Sequence, residues 1–338
     1  MLVLGIDTSC DDTSCAVVLD GRRVLSNIVS SQVDLHSRFG GVVPEIASRR
    51  HTEMMVPVLD EALKTADVEA EDLDAVAVTR GPGLLGSLLV GVCFAKGLAA
   101  GLSVPVVGVH HLEGHIFANF LRDDPPSLPL LNLVVSGGHS DLILMERFGS
   151  YEVLGETRDD AAGEVMDKVA RELGLPFPGG PWLDRAADRG DPAAYTFPHP
   201  RMENPYDFSF SGMKTRALLA IEDAKKRGAS DWDRVVADLS ASMRYAIVRD
   251  LLFEVPKAVR KTGAKAFAIS GGVAANNLLR SEAMRLAAEN GIALYIPPKE
   301  LCTDNGAMVA SAGFRRLAAG KTDGFDLDAE AGLMLSPW

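Results

Sequence analysis

Two histidines, His111 and His115, stand four positions apart in the run His110-His111-Leu112-Glu113-Gly114-His115. On a helix, that spacing puts both imidazoles on one face about one turn apart, within reach of a single ion. Among seven histidines such a pair also arises by chance, as two partly exposed side chains. Position favours a metal: the pair follows the apolar run 104–109, and α/β proteins place ligands at the C-terminal ends of their strands. The zinc-protease signature HExxH needs Glu directly after the first histidine as general base. Here that position holds Leu112, and helical geometry turns Glu113 elsewhere. A third ligand must come from a distant segment. Asp304, in Cys302-Thr303-Asp304-Asn305-Gly306 ahead of a helix predicted over 307–317, is either that ligand or the helix N-cap.

A second kind of chemistry is written three times. Residues 2–6, 131–135 and 266–269 are apolar runs, each feeding a turn of small and polar residues: Asp7-Thr8-Ser9-Cys10-Asp11-Asp12, Ser136-Gly137-Gly138-His139-Ser140 and Ser270-Gly271-Gly272-Val273-Ala274. The first two lead into further apolar runs, 16–19 and 142–145, and predict β-hairpins; the third leads into helical spacing over 275–289. One such turn means little. Three of them, each letting backbone N–H groups approach an anion, suit a phosphate-bearing ligand. Asp7, Asp11 and Asp12 in the first turn either act through a bridging cation or form an Asx turn.

Other candidates have plainer readings. Asp160, Glu164, Asp167 and Lys168 share helical spacing and suit a solvated helix face. Pro178-Gly179-Gly180-Pro181 reads as a tight turn whose glycines also admit a ligand. The stretch 208–215 ends like a P-loop but lacks its first glycine, so a capped helix starting near Ser211 is the better reading.

The elements that position these residues alternate. Helical patterns over 44–64, 85–100 and 231–254 are interleaved with extended runs at 75–78, 104–109 and 293–296, which argues for an α/β protein with mixed sheets. At 338 residues two domains are expected. The Pro-rich stretch 122–129 is the linker candidate, and 175–205 is expected to be a loop-rich insert beside a site. The apolar stretch 84–109 is interrupted by Lys96 and broken by Pro105; it reads as a buried helix and a strand rather than a membrane span. No targeting segment is visible, since the first basic residue is Arg22. The four cysteines form no CxxC pair, which suits free buried thiols in a reducing compartment. A net charge of −12 argues against a free-standing nucleic-acid binder. It leaves room for a nucleic acid held by a local patch, such as Arg49-Arg50-His51 or Lys214-Thr215-Arg216, or presented by a partner.

These motifs together resemble the TsaD family, the catalytic subunit of tRNA N6-threonylcarbamoyladenosine transferase. The matching stretches are LGIDTSCDDTS (4–14), VPEIASRRH (43–51), GPGLLGSLLVG (81–91), HHLEGH (110–115), VSGGHSDL (135–142), GEVMDKVARELGLPFPGGP (163–181), FSFSGMKT (208–215), SGGVAANNLLR (270–280) and CTDNGAMVA (302–310). They run in order along nearly the whole chain. The family's former label, O-sialoglycoprotein endopeptidase, rests largely on the histidine pair, and the departure from HExxH argues against it.

The resemblance implies two ribonuclease-H-like lobes of the sugar-kinase, actin and heat-shock-chaperone superfamily, with mixed sheets flanked by helices and nucleotide and metal in the interlobe cleft. The boundaries expected are 1–110 for the first lobe, with 307–338 packing back on it, and 111–306 for a second lobe carrying most metal and substrate contacts. The implied ligands of one Fe²⁺ (or Zn²⁺) are His111, His115 and Asp304. The implied substrate contacts are Val135, Ser136, Gly137, Gly138, His139, Asp167, Gly180, Asp184 and Asn276. The implied reaction moves the threonylcarbamoyl group of threonylcarbamoyl-adenylate to N6 of adenosine 37 in tRNAs reading codons that begin with A, and releases AMP. Asp11 is the candidate general base. The implied partners are a paralogous subunit and a small P-loop ATPase, with no membrane and a cytoplasmic location. Many members carry Glu where this chain has Asp7 and Asp12; both are carboxylates, and no change of activity is expected. Three rival readings remain: an ATP-dependent small-molecule kinase of the same superfamily, a metalloprotease and a non-catalytic scaffold paralogue.

Overall fold

The computed structural model describes residues 1–338. Its elements run β1 (Leu2–Asp7), β2 (Asp12–Leu19), β3 (Arg23–Ser31), α1 (Val33–Ser37), α2 (Pro44–Ala66), β4 (Ala75–Gly81), α3 (Leu85–Leu102), β5 (Val106–His110), α4 (His111–Phe117), β6 (Leu130–Val135), β7 (Ser140–Arg147), β8 (Ser150–Glu156), α5 (Ala162–Glu172), α6 (Gly179–Ala187), α7 (Ser211–Lys226), α8 (Trp232–Leu252), α9 (Val255–Thr262), β9 (Ala266–Ser270), α10 (Asn277–Asn290), β10 (Ala293–Tyr295) and α11 (Gly306–Ala318). They fall into two units, 1–126 with 147–151 and 297–338, and 127–146 with 152–296.

In the first unit the sheet order is β3-β2-β1-β4-β5. β1 runs antiparallel to β2 and parallel to β4, and β4 runs parallel to β5. β1 is central and covered on both faces, so its sequence is almost continuously apolar rather than alternating. Strand alternation still divides its side chains. Leu4 and Ile6 join Met55 and Val58 of α2 and Val92 and Ala95 of α3 in one core, whereas Gly5 meets α11. Asp7 shares the Gly5 face, which carries its carboxylate toward the α11 side.

The second unit repeats the plan. Its order, β10-β9-β6-β7-β8, read in reverse puts the third, second, first, fourth and fifth strands side by side, as in the first sheet. β6 is antiparallel to β7 and parallel to β9, and β9 is parallel to β10. The three predicted strand-and-turn segments are therefore β1, β6 and β9. The first two continue into hairpins and the third into α10, as the sequence predicts.

Three expectations need correction. The unit boundary falls inside the Pro-rich stretch at 126/127 and again at 296/297, not at 110/111 and 306/307. The reason is that α4 packs with α11 and β5, and Asp304 in the loop before α11 meets the two histidines of α4. Pro178-Gly179-Gly180-Pro181 is not a tight turn: Pro178 is the N-cap and the two glycines open α6. α3 is long and apolar enough by composition to cross a membrane, and it is part-buried, not the fully buried helix expected. Ser87, Leu88, Gly91, Val92, Ala95 and Ala99 face the core, while Leu85, Leu89 and Cys93 are exposed. Cys93, exposed, and Cys10, half-buried, therefore depart from the expected set of buried thiols.

Candidate metal centre and ligand loops

β5 ends at His110, and its side chain starts α4. His110 Nδ1 accepts from Leu112 N–H (3.1 Å) and its Nε2 donates to the Leu333 carbonyl (3.0 Å). Burial pushes this imidazole down to about 4, so it is neutral and serves as a cap. His111 and His115 then fall on one face of α4, both buried, with ring centroids 4.7 Å apart. Asp304 meets them from the loop before α11. Its Oδ1 lies 3.2 Å from His115 Nε2 and 3.6 Å from His111 Nε2. The N-cap alternative for Asp304 is settled by its neighbour: Asn305 accepts from Met308 N–H and caps α11.

One ligand atom from each of the three residues lies within 4.8 Å of the others. Two tetrahedral ligands at bond lengths near 2.1 Å sit about 3.4 Å apart, so these spacings fit a divalent ion. His115 is fully buried, yet neither of its ring nitrogens has a hydrogen-bond partner. Leaving a buried imidazole in that state is costly, and a cation at Nε2 would remove part of the cost.

Asp7 stands beside this group. Its Oδ1 accepts from Ser9 N–H (3.0 Å), and its fully buried Oδ2, with no hydrogen-bond partner, lies 4.0 Å from His111 Nδ1. Burial pushes its carboxyl up; His111 opposes that rise and Asp304 adds to it. The sequence singles out Asp7 for its loop but not for the histidine pair; β1 alternation is the signal that connects them. Asp11 is half-buried in the same turn. With burial, its charge holds the Cys10 thiol protonated, and burial brings Asp12 to about 7.

In the second unit the implied substrate contacts form three groups. Val135 ends β6. Ser136 N–H then donates to the His139 carbonyl (2.9 Å), while Ser136 Oγ accepts from Gly138 and His139 N–H. Gly137 and Gly138 face open space, so their backbone is approachable. The third turn packs beneath: Gly271 has φ +89°, and a Cβ there would sit 2.2 Å from the Val135 carbonyl oxygen. In the second group Asp167 Oδ1 accepts from Gly179 N–H (2.8 Å) and Gly180 N–H (3.1 Å). In the third, Asn276 donates to Asp184 Oδ1 (2.8 Å) and caps α10 through Leu279 N–H. Arg244, which the sequence does not reveal, donates to the same Asp184 oxygen (2.8 Å) and to Asp188 (2.7 Å). The stretch 159–168 is more than a solvated face. Asp160 pairs with Lys168 and Lys214, and Asp159 accepts from Phe210 and Ser211 N–H at the start of α7.

The duplicated five-stranded sheet, with its strand-end turns, defines an α/β protein built of two like units. Two solved structures share the fold: T. kodakarensis HypF (TM-score 0.63, 17% identity, 94% of this chain and 48% of that one) and the Acidaminococcus fermentans (R)-2-hydroxyglutaryl-CoA dehydratase component A (TM-score 0.52, 16% identity, 94% and 99%). The family model described as TsaD, tRNA N6-adenosine threonylcarbamoyltransferase, matches residues 23–311. Proteins of that name from Symbiobacterium thermophilum (54% identity, 99% of this chain and 97% of the relative) and Anaeromyxobacter dehalogenans (53% identity, 97% and 98%) align over almost their full lengths. The chain belongs to the tRNA N6-adenosine threonylcarbamoyltransferase family and is a transferase that modifies tRNA.

Proposed function

We propose that the chain transfers the threonylcarbamoyl group from threonylcarbamoyl-adenylate to N6 of adenosine 37 in tRNAs reading codons that begin with A. The N6–carbon bond forms, the bond from the carbamoyl carbon to the phosphate oxygen breaks, AMP leaves with the electron pair, and N6 loses a proton. The observation that carries this reading is the convergence of His111, His115 and Asp304, a trio that a kinase of this fold does not need and that lacks the protease's glutamate. An Fe²⁺ or Zn²⁺ held there would act as a Lewis acid toward substrate oxygens.

The remaining roles belong to the chain's own groups. The backbone at Ser136, Gly137, Gly138 and His139, after Val135, approaches the adenylate phosphate without steric conflict. Asp184 and Asn276 hydrogen-bond ribose or base, and Asp167 holds the start of α6 so that Gly180 can meet the nucleotide. Asp11 takes the proton from N6, a step that needs little help because an aromatic amine loses its proton late. The charge of −12 suits a tRNA presented with the help of other subunits, a paralogous subunit and a small P-loop ATPase. The exposed apolar residues of α2 and α3, Val56, Leu85 and Leu89, suit burial against such a subunit. The tRNA substrate and the free thiols suit a cytoplasmic location.

The test supplies the chain and its partner subunits with unmodified tRNA, threonine, bicarbonate, ATP and the adenylate-forming enzyme, and reads modified adenosine by mass spectrometry. Modification by the intact chain, absent in the His111→Ala/His115→Ala variant, is the expected result. No modification by the intact chain, where a known system works, overturns the reading in favour of the kinase.

A further inference from the structure

Glu113 lies between the two histidines in sequence but opposite them in space. At about 100° per residue it points some 200° around α4 from His111. Its carboxylate is fully buried. Tyr151 Oη donates to Oε1 (2.7 Å), Trp338 Nε1 donates to the same oxygen (2.6 Å), and Arg316 donates to Oε2 through Nε (2.9 Å) and Nη2 (2.8 Å). The donors come from three separate places in the first unit: the start of β8, α11 and the trailing segment. Tyr151 is kept as a neutral donor, because burial and the Glu113 charge push its phenol well up.

The partners matter for where they are attached. Arg316 belongs to α11, and Asp304 immediately precedes that helix, so the Glu113–Arg316 pair joins the two elements that carry the metal trio. Gly114 lets α4 approach α11 closely, since a Cβ there would lie 3.3 Å from Met308 Cγ. The trailing segment grips α4 twice, through Leu333 to the His110 cap and through Trp338 to Glu113. Trp338 is itself fixed: its backbone N–H donates to the Gly149 carbonyl (3.0 Å), its ring fills the space a Gly149 side chain would need, and Arg316 lies over it at 5.2 Å. A buried ion pair is a weak source of net stability compared with apolar packing. What it supplies here is orientation, because any rotation of α4 about its axis would break bonds to three segments.

We propose that Glu113 is a positioning residue for the metal trio, and that residues 333–338 act as a strap that sets the rotation of α4. The proposal rests on the metal reading of His111, His115 and Asp304.

The test loads metal-free protein with Co²⁺ and measures its visible ligand-field spectrum, its affinity by chelator competition and the unfolding temperature of the metal-free form. Trp338→Phe keeps the ring and removes the N–H; Tyr151→Phe and Glu113→Gln remove a donor and the charge. The expected result is Co²⁺ affinity about 10- to 100-fold weaker with a shifted spectrum, the largest effect being in Glu113→Gln. Unchanged affinity and spectrum in folded variants, with only a lower unfolding temperature, would show a purely structural role and overturn the proposal. Should Glu113→Gln not fold, the two phenylalanine variants decide. Absence of Co²⁺ binding by the unaltered chain, matching His111→Ala/His115→Ala, overturns the metal reading and the strap with it. Binding that all the variants share overturns the strap alone.

Discussion

Gly5 of β1 and Gly306 of α11 meet backbone to backbone. A Cβ on Gly5 would lie 2.0 Å from the Gly306 carbonyl oxygen, and one on Gly306 would lie 2.5 Å from the Gly5 carbonyl oxygen. Gly306 N–H also donates to Ser14 Oγ (2.8 Å). The start of α11 is thus seated on β1 and β2, and Asp304 is two residues upstream. Gly306→Ala cannot be absorbed by moving a side chain, because what it meets is backbone. The expected cost is about 1–3 kcal/mol, together with displacement of Asp304 and less bound metal. Thermal unfolding and metal content per chain check both. Gly97→Ala is the control: Gly97 sits inside α3 with nothing within 4 Å, so alanine there should stabilise by about 0.5–1 kcal/mol.

Asp167 and Gly180 enter the sequence reading as separate substrate contacts, yet they are one device. α6 begins with Pro178, which offers no side-chain cap, and Asp167 Oδ1 receives the first two amides instead. Asp167→Ala should cost about 1–2 kcal/mol by leaving those donors unmade, and the KM for the adenylate should rise. Asp167→Asn keeps an acceptor, so it should recover most of the stability. Urea unfolding beside steady-state kinetics separates the two effects; an Asn variant as unstable as Ala would show that the charge, not the acceptor, holds α6.

The parts of this molecule legible in the sequence are those governed by local rules. The strand-and-turn segments announce themselves by apolar runs ending in Gly and Ser, and α2, α3 and α8 by their periodicity. His111 and His115 are legible because one helical turn fixes their relation. Asp304 is ambiguous from spacing alone, because N-cap and metal ligand call for the same residue type at a helix start. Glu113's donors and Arg244 are not legible at all. Their partners lie far away in sequence, 225 residues for Trp338 and 60 for Asp184, and no local pattern encodes such pairings. The unit boundary was displaced for a related reason: α4 follows β5 directly, and only its packing against α11 shows to which body it belongs.

Arg244 gathers Asp184 and Asp188, and Asn276 completes the cluster. The Arg244 and Asp184 side chains are mostly buried, at 15% and 19% exposure, so the pair is less screened than a surface bridge. Arg244→Met should therefore lower stability by about 1.5–3 kcal/mol. If Asp184 contacts the nucleotide, KM should rise about tenfold while kcat changes little, as losing a ground-state contact requires. A fall in kcat with KM unchanged would place this cluster outside nucleotide binding.

Asp141 gives the molecule a pH dependence of known sign. It sits on β7 opposite Val134 of β6 and is 6% exposed. Burial, helped by the Glu156 charge, brings its carboxyl from 3.8 up to about 7. Between those values the folded chain holds a proton that the unfolded chain releases. Stability is therefore unaffected by this group below about pH 4, falls as pH rises toward 7, and stays lowered above that. At about 1.4 kcal/mol per pKa unit the full loss is of order a few kcal/mol. Asp141→Asn removes the ionisation and should raise the urea midpoint at pH 8, with the advantage shrinking steadily toward pH 4. Parallel midpoint-against-pH curves for the two proteins would show that Asp141 is ionised at no cost in the folded chain, and that its burial is compensated by solvent or by a partner.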